Sequence, residues 1–248
     1  MPIVFDLDGT TIFEGKKMTE EMTNAISDLN KVEDVIFASA RPIRDMLPVL
    51  PTPFHSFDLI GGNGAFTRKD DKLRTTCFSD KEVATIMDVI TKYQLDYLVD
   101  SDWNYSYKGD TSHPLYQGLD PLNLAKSVTL NELTSVVKSV LFTTDKHIIK
   151  TLESVGINVH FHGNEELIDI SPRNVSKWTG YQHLGINQPF IMFGNDANDL
   201  PMFHAATKSF IVGDLIKDVP NATWISKEEV IPTIHSLKTS YTKVAETF

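Results

Sequence analysis

Val4-Phe5-Asp6-Leu7-Asp8-Gly9-Thr10 constrains this chain more than any other stretch: a short apolar run stops at two acids separated by one residue, then a glycine and a hydroxyl. Residues 2–5 are brief, rich in β-preferring side chains and halted by charge, the pattern of a parallel strand buried on both faces. The acids then stand at the strand's carboxyl end, where open α/β sheets bind ligands. Gly9 gives the backbone the freedom to turn there, so Asp6 and Asp8 can converge on one ion. An Asp-rich turn without chemistry has the same sequence, and only the partners of this stretch can decide between the two.

Strand and helix alternate after it. Thr19 caps a predicted helix whose apolar positions Met22, Ala25, Ile26 and Leu29 keep the i, i+3, i+4, i+7 spacing. Val35 to Ala38 reads as a second buried strand, ending in Ser39-Ala40-Arg41-Pro42. A helix is predicted from Ile43 to Leu50, broken near Pro48 and stopped by Pro51 and Pro53. Asp58 to Ala65 reads as a third strand running into Gly61-Gly62-Asn63-Gly64, which is either ordinary turn chemistry or a cradle of backbone N–H groups for an anion.

The character changes at about Phe78. Ser79-Asp80-Lys81-Glu82 is a capping box opening a helix with the stripe Val83, Ile86, Met87 and Ile90. Strands are predicted at 96–102, 138–144 and 157–162, a helix at 145–155, and an aromatic-rich loop from Trp103 to Gly118. The alternation resumes with a strand from Leu167 to Ser171 and a helix from about Ser176 to Leu184, with Lys177 in its first turn. A strand from Pro189 to Phe193 then runs into Gly194-Asn195-Asp196-Ala197-Asn198-Asp199 and a helix to about Ala206. Ser209 to Val212 is predicted as the last strand, Ser226 opens a final helix, and the last dozen residues are polar enough to fray. The fold class is α/β: a doubly wound parallel sheet formed by residues 1–78 and 166–248, interrupted by a smaller α/β unit at 79–165.

Charge narrows the partners. With 33 acidic against 23 basic residues, a net −10, and no basic cluster, the chain offers nucleic acid no electrostatic footprint. A small anionic substrate needs a local positive centre, such as a metal or a lysine. The single cysteine, Cys77, excludes an internal disulfide and reads as a bystander thiol. No apolar run approaches the roughly 18 residues of a membrane span, and no basic-then-apolar leader opens the sequence, so a cytoplasmic protein with no membrane partner is expected.

The acids at 6, 8 and 195–199 make an oxygen-ligand set suited to Mg²⁺. A phosphate ester brought to that ion is open to attack by Asp6, giving an acyl phosphate. Asp8 can protonate the leaving alcohol and later deprotonate water, provided its neighbours keep it protonated at the first step. Ser39 offers a hydroxyl and Lys177 a positive charge, although a lysine in a first helical turn opposes the macrodipole and also reads as a solvated surface residue.

These stretches resemble the haloacid dehalogenase-like superfamily: Asp6 to Thr10 its first motif, Ser39 to Arg41 its second, Lys177 its third, and Gly194 to Asp199 its fourth. The middle block looks like the large α/β cap of the Cof-type branch (subfamily IIB), whose members are mostly Mg²⁺-dependent phosphatases of sugar phosphates and other small phosphorylated metabolites. The resemblance implies Asp6 as nucleophile and metal ligand, Asp8 as acid/base with its carbonyl on the metal, and Ser39 and Lys177 on the phosphoryl group. It further implies metal ligation by Asn195 and Asp199, with Thr10, Ala40, Arg41 and Asn198 contacting substrate. Trp103, Tyr105 and His113 are the expected selectors of its non-phosphate end, unless they pack the cap's own core. The fourth motif usually begins Gly-Asp; here the acid is Asn195, which ligates without charge unless Asp196 or Asp199 compensates. A monomer or weak homo-oligomer is expected. Two other functions stay open: a phosphotransferase or mutase using the same intermediate, and a regulator that binds a phosphometabolite without turnover.

Overall fold

The computed structural model describes residues 1–161 and 166–245. The chain opens with β1 (Ile3–Asp6), crosses through α1 (Glu20–Leu29) to β2 (Val35–Ala38), and makes one helical turn, α2 (Ile43–Met46), before β3 (Asp58–Gly61) and the hairpin β4 (Phe66–Lys69) and β5 (Lys72–Thr75). α3 (Asp80–Tyr93), β6 (Tyr97–Asp100), β7 (Tyr105–Lys108), α4 (Pro114–Gln117), β8 (Lys138–Leu141), α5 (Lys146–Ser154), β9 (Asn158–Phe161) and β10 (Ile168–Ser171) follow. The chain closes with α6 (Lys177–His183), β11 (Ile191–Gly194), α7 (Leu200–Ala205), β12 (Lys208–Val212), β13 (Ala222–Ile225) and α8 (Val230–Ala245).

Two sheets result. The larger runs β13-β12-β11-β1-β2-β3-β4-β5, parallel from β13 to β3 and antiparallel at β4 and β5. Its β1 separates the strands that wind one way (β2, β3) from those that wind the other (β11, β12, β13), which puts the topological switch point at the β1–β11 pair. Alternation along β1 explains the layering. Ile3 and Phe5 pack with Phe37, Phe193 and the apolar faces of α1 and α8, while Val4 packs with Ile36, Met192 and Tyr181, Met202 and Phe203 of α6 and α7. Helices therefore cover both faces, and the doubly wound core is present.

The second sheet, β7-β6-β8-β10-β9, is antiparallel at every described pairing and carries α3 and α5 against one face. Here the expected boundary at residue 165 is corrected. β10 pairs with β8 and β9, and Ile168 and Ile170 pack with α3 and α5, so the inserted unit reaches Ser171. A lone apolar run reads the same in either sheet, and only its pairing partners distinguish them. The loop expected from Trp103 to Gly118 contains β7 and α4, and the helix expected to reach Leu50 ends at Met46. β13 lies beyond the expected last strand, and the β4–β5 hairpin turns through Asp70 and Asp71, both left-handed, in place of the usual Gly-containing pair. α8 runs through Ala245, where fraying was expected; residues 246–248, like His162 of the strand expected at 157–162, lie outside the described residues. Among the described residues no helix is long and apolar enough to cross a membrane.

One buried ion cluster joins the two units. Arg44 on α2 donates to both Asp45 oxygens (3.0 and 2.7 Å), to Asp100 Oδ1 at the end of β6 (2.9 Å) and to the Trp103 carbonyl (2.9 Å), with its guanidinium over the Tyr105 ring. Asp45 in turn accepts from the Asp120 backbone N–H at 2.9 Å. Arg44 is 2% exposed and Asp100 1%. Burial pushes the Asp100 carboxyl up, and Arg44 pulls it back. Removing one partner from such a cluster strands the others. Arg44→Met is expected to lower stability by about 3–5 kcal/mol in urea unfolding; a loss below about 1 kcal/mol would show that the cluster contributes little to holding the units together.

Candidate active site

The carboxyl ends of β1, β2 and β11 deliver the site. Asp6 is the last residue of β1, and its carbonyl accepts from Thr11 Oγ1 at 2.9 Å, which ties the turn back onto the strand. Ser39 follows β2; its Oγ accepts from the Arg41 N–H and its carbonyl from the Asn63 N–H, linking two strand ends. Asn63 holds a left-handed backbone, φ 56°. Gly64 beside it is required by a close approach: a Cβ there would lie 2.0 Å from the Ser176 carbonyl. The glycine-rich turn thus seats the start of α6, and Lys177 with it.

Lys177 is fully buried and its Nζ donates to Asp6 Oδ1 at 2.6 Å, to Asp199 Oδ1 at 2.7 Å and to Asn198 Oδ1 at 3.3 Å. The two carboxylates answer the objection from the helix macrodipole: anions lie beside the ammonium. Burial pushes the Asp6 carboxyl up to about 7, opposed by Lys177 and helped by Asp199. For Lys177 burial works the other way, yet the paired acids outweigh it and hold the ammonium charged. Asp199 Oδ2 accepts from the N–H groups of Asn195 and Asp196 at 3.0 and 3.2 Å. Both its oxygens are engaged, so Asp199 braces the turn and serves as Lys177's second counter-ion. Asp196 is exposed and bonds the Ala197 N–H, so it does not compensate for Asn195.

A cation fits beside Asp6. The inward atom of the half-buried Asn195 amide lies 3.2 Å from Asp6 Oδ2, 3.1 Å from the Asp8 carbonyl and 3.2 Å from Thr10 Oγ1. Oxygens in neighbouring positions around octahedral Mg²⁺, each about 2.1 Å from the ion, stand about 3 Å apart. One carboxylate, one carbonyl and one amide oxygen therefore suit a hard ion in number and spacing. Among the described residues no three His, Cys, Asp or Glu side chains gather to hold a metal; this set relies on main chain and amide instead.

Asp8 is held differently from expectation. Its two oxygens accept from Arg41 Nε and Nη2 at 2.7 and 2.8 Å, a bidentate fork. Asp8 can give a proton to a leaving group only when that fork opens. Ala40 lies between Ser39 and Arg41 in the loop after β2, partly exposed. Asn198 bridges Lys177 and Asn63, to whose Oδ1 it donates at 3.1 Å. Of the cap aromatics, Trp103 and Tyr105 stand at the seam with Arg44. His113 caps α4 through Nδ1 and meets Phe142 edge-on, contacts within the cap's own packing. Thr11, Asn63, Arg44 and Asp45 were missed. Asn63 alone left a signal, as the one side chain among the glycines of its turn.

The family model for haloacid dehalogenase-like hydrolases matches residues 3–229. No curated protein matches the chain. Among solved structures, TM0651 from Thermotoga maritima is similar at 22% identity and a TM-score of 0.74, over 95% of this chain and 96% of that one. A haloacid dehalogenase-like hydrolase from B. subtilis is similar at 17% and 0.74, over 95% and 99%. The subclass IIB sugar phosphatase BT4131 is similar at 17% and 0.73, over 95% and 98%. At these identities the likeness is one of fold.

Among the described residues Lys177 is the one cation paired with both Asp6 and Asp199, and its removal has a pH signature. In Lys177→Met the Asp6 carboxyl, pushed up by burial, loses the cation that opposed that push and retains a proton that the unfolded chain gives up near pH 4. Stability is kept at low pH and lost as pH rises through that raised value. The variant is expected to lose about 3–5 kcal/mol at pH 8 and clearly less at pH 5 in urea unfolding. A loss that does not vary with pH would contradict the shared-cation arrangement.

Proposed function

The chain belongs to the haloacid dehalogenase-like hydrolases, and from that premise we propose that it is a Mg²⁺-dependent phosphomonoesterase of small phosphorylated metabolites, sugar phosphates foremost, working through an aspartyl-phosphate. One observation carries the reading. Asp6 stands at the switch point with one oxygen fixed by a buried lysine, 2.6 Å away, and the other turned to a set of oxygens spaced for a divalent ion.

Asp6 attacks phosphorus, and the bond from phosphorus to the ester oxygen breaks. The leaving oxygen takes a proton from Asp8, freed from Arg41. Asp8 then removes a proton from water, which attacks the same phosphorus and returns Asp6 as a carboxylate with inorganic phosphate released. Lys177 opposes the upward push that burial gives the Asp6 carboxyl and directs the attacking oxygen. Ser39 presents its hydroxyl, and Arg41, once it leaves Asp8, its guanidinium to the phosphoryl oxygens. Mg²⁺, held by Asp6, the Asp8 carbonyl and Asn195, would neutralise phosphoryl charge.

Selection falls to the inserted unit. Asp100 and Lys138 face each other across β6 and β8, and Lys138 pairs with Asp169 at 2.5 Å, on the face that Arg44 reaches from the core. A buried polar face suits a hydroxyl-rich leaving group such as a sugar better than an apolar one. Asp6, Asp8 and Lys177 assembled together favour turnover over the binding-only alternative.

Asp6→Asn should lower hydrolysis of a generic aryl phosphate by at least about 10³-fold with an unchanged circular dichroism spectrum. In the unaltered protein EDTA should abolish, and Mg²⁺ restore, that hydrolysis. Turnover retained by Asp6→Asn would reject the mechanism.

A further inference from the structure

Asn195 brings a two-ended side chain to a place where only one end suits a cation. Its inward atom meets two obligate acceptors, Asp6 Oδ2 and the Asp8 carbonyl, together with Thr10 Oγ1. An inward NH₂ donates to all three, whereas an inward oxygen faces the acceptors with only the Thr10 hydroxyl to bond it. Both orientations fill the same space, since they differ by a half-turn of the amide. We propose that Asn195 is a two-position element: its NH₂ caps Asp6 and the Asp8 carbonyl when no cation is bound, and the amide turns to present its oxygen when a divalent cation enters. The proposal takes the divalent ion from the function argued above, and none of its readouts is turnover.

Three features converge on this. Gly9, at φ +82°, leaves room for the amide: a Cβ there would come within 2.2 Å of its nitrogen. The local charge count matters too. Asp6 and Asp199 share one Lys177, two acids for one cation, and an aspartate at 195 would add a third acid within reach of Asp6. Finally, the neighbouring acids are committed elsewhere: Asp199 to Lys177 and two backbone N–H groups, Asp196 to the Ala197 N–H. Nothing else in the turn does the work of the amide. The cation must therefore displace an internal donor and turn it, which weakens binding, while the protein gains a site that does not repel itself without metal.

Asn195→Asp tests both halves. At one fixed Mg²⁺ concentration the melting temperature of the unaltered protein should rise less above its EDTA value than that of the variant does. The variant should melt about 2–4 °C or more below the unaltered protein in EDTA, with Mg²⁺ restoring the difference, and calorimetry should show Mg²⁺ bound at least about tenfold more tightly. In the unaltered protein, nitrogen-15 spectra give a second readout that does not depend on the variant's stability in EDTA. The Asn195 side-chain NH₂ signal, identified by its loss in the variant with Mg²⁺ present, should exchange slowly in EDTA, then shift and exchange faster with Mg²⁺. Equal melting and equal affinity in the two proteins would overturn the proposal, as would an Asn195 NH₂ indifferent to Mg²⁺ or the absence of Mg²⁺ binding to both. Loss of the proposal would leave aryl phosphate turnover to stand, and a lack of turnover beside these shifts would overturn the function alone.

Discussion

A single ammonium group organises the site. Lys177 Nζ lies in the protein interior between Asp6 and Asp199, and burying three charges is tolerable only because each finds a partner at hydrogen-bond distance. That contact fixes which way the Asp6 carboxylate points. It also ties the end of β1 to the start of α6 and, through Asp199, to the turn after β11. Segments 171 residues apart in sequence are joined by one bond, and the switch point of the sheet is where they can meet.

The larger architecture follows from the same need for paired charge. The inserted sheet docks on the core through Arg44 and Asp45, which draw Asp100, the Trp103 carbonyl and the Asp120 N–H into one buried cluster. Arg44 lies three residues beyond Arg41, whose guanidinium grips Asp8. One short segment after β2 therefore serves both the docking of the inserted unit and the restraint of Asp8.

Much of the catalytic half was legible in the sequence because each element there is a short apolar run ended by a chemically distinctive turn. Asp6, Ser39 and Asn195 could be placed at strand ends, and Lys177 at a helix start, from such runs alone. Other features were not legible because the information lies in pairing. β10 carries the same apolar pattern as a core strand, and its neighbours put it in the cap. β5 is an edge strand and β4 its neighbour, and both carry charged residues, so periodicity is faint. Arg44 and Asp100 look like surface residues until the fold encloses them together, and the Arg41 fork on Asp8 depends on a loop conformation that residue type does not encode. Asn195 was visible as a departure, but its consequence needed the distances to Asp6 and Asp8.

The central claim is that Asp6, fixed by Lys177, is the atom donor to phosphorus. Acid quench of the protein during turnover of an aryl phosphate, followed by peptide mass mapping, tests it most directly. The account predicts one phosphoryl group on Asp6 and none on Asp8 or Ser39. A phosphoryl group on either of those residues, or no covalent adduct under conditions of measured turnover, would contradict it.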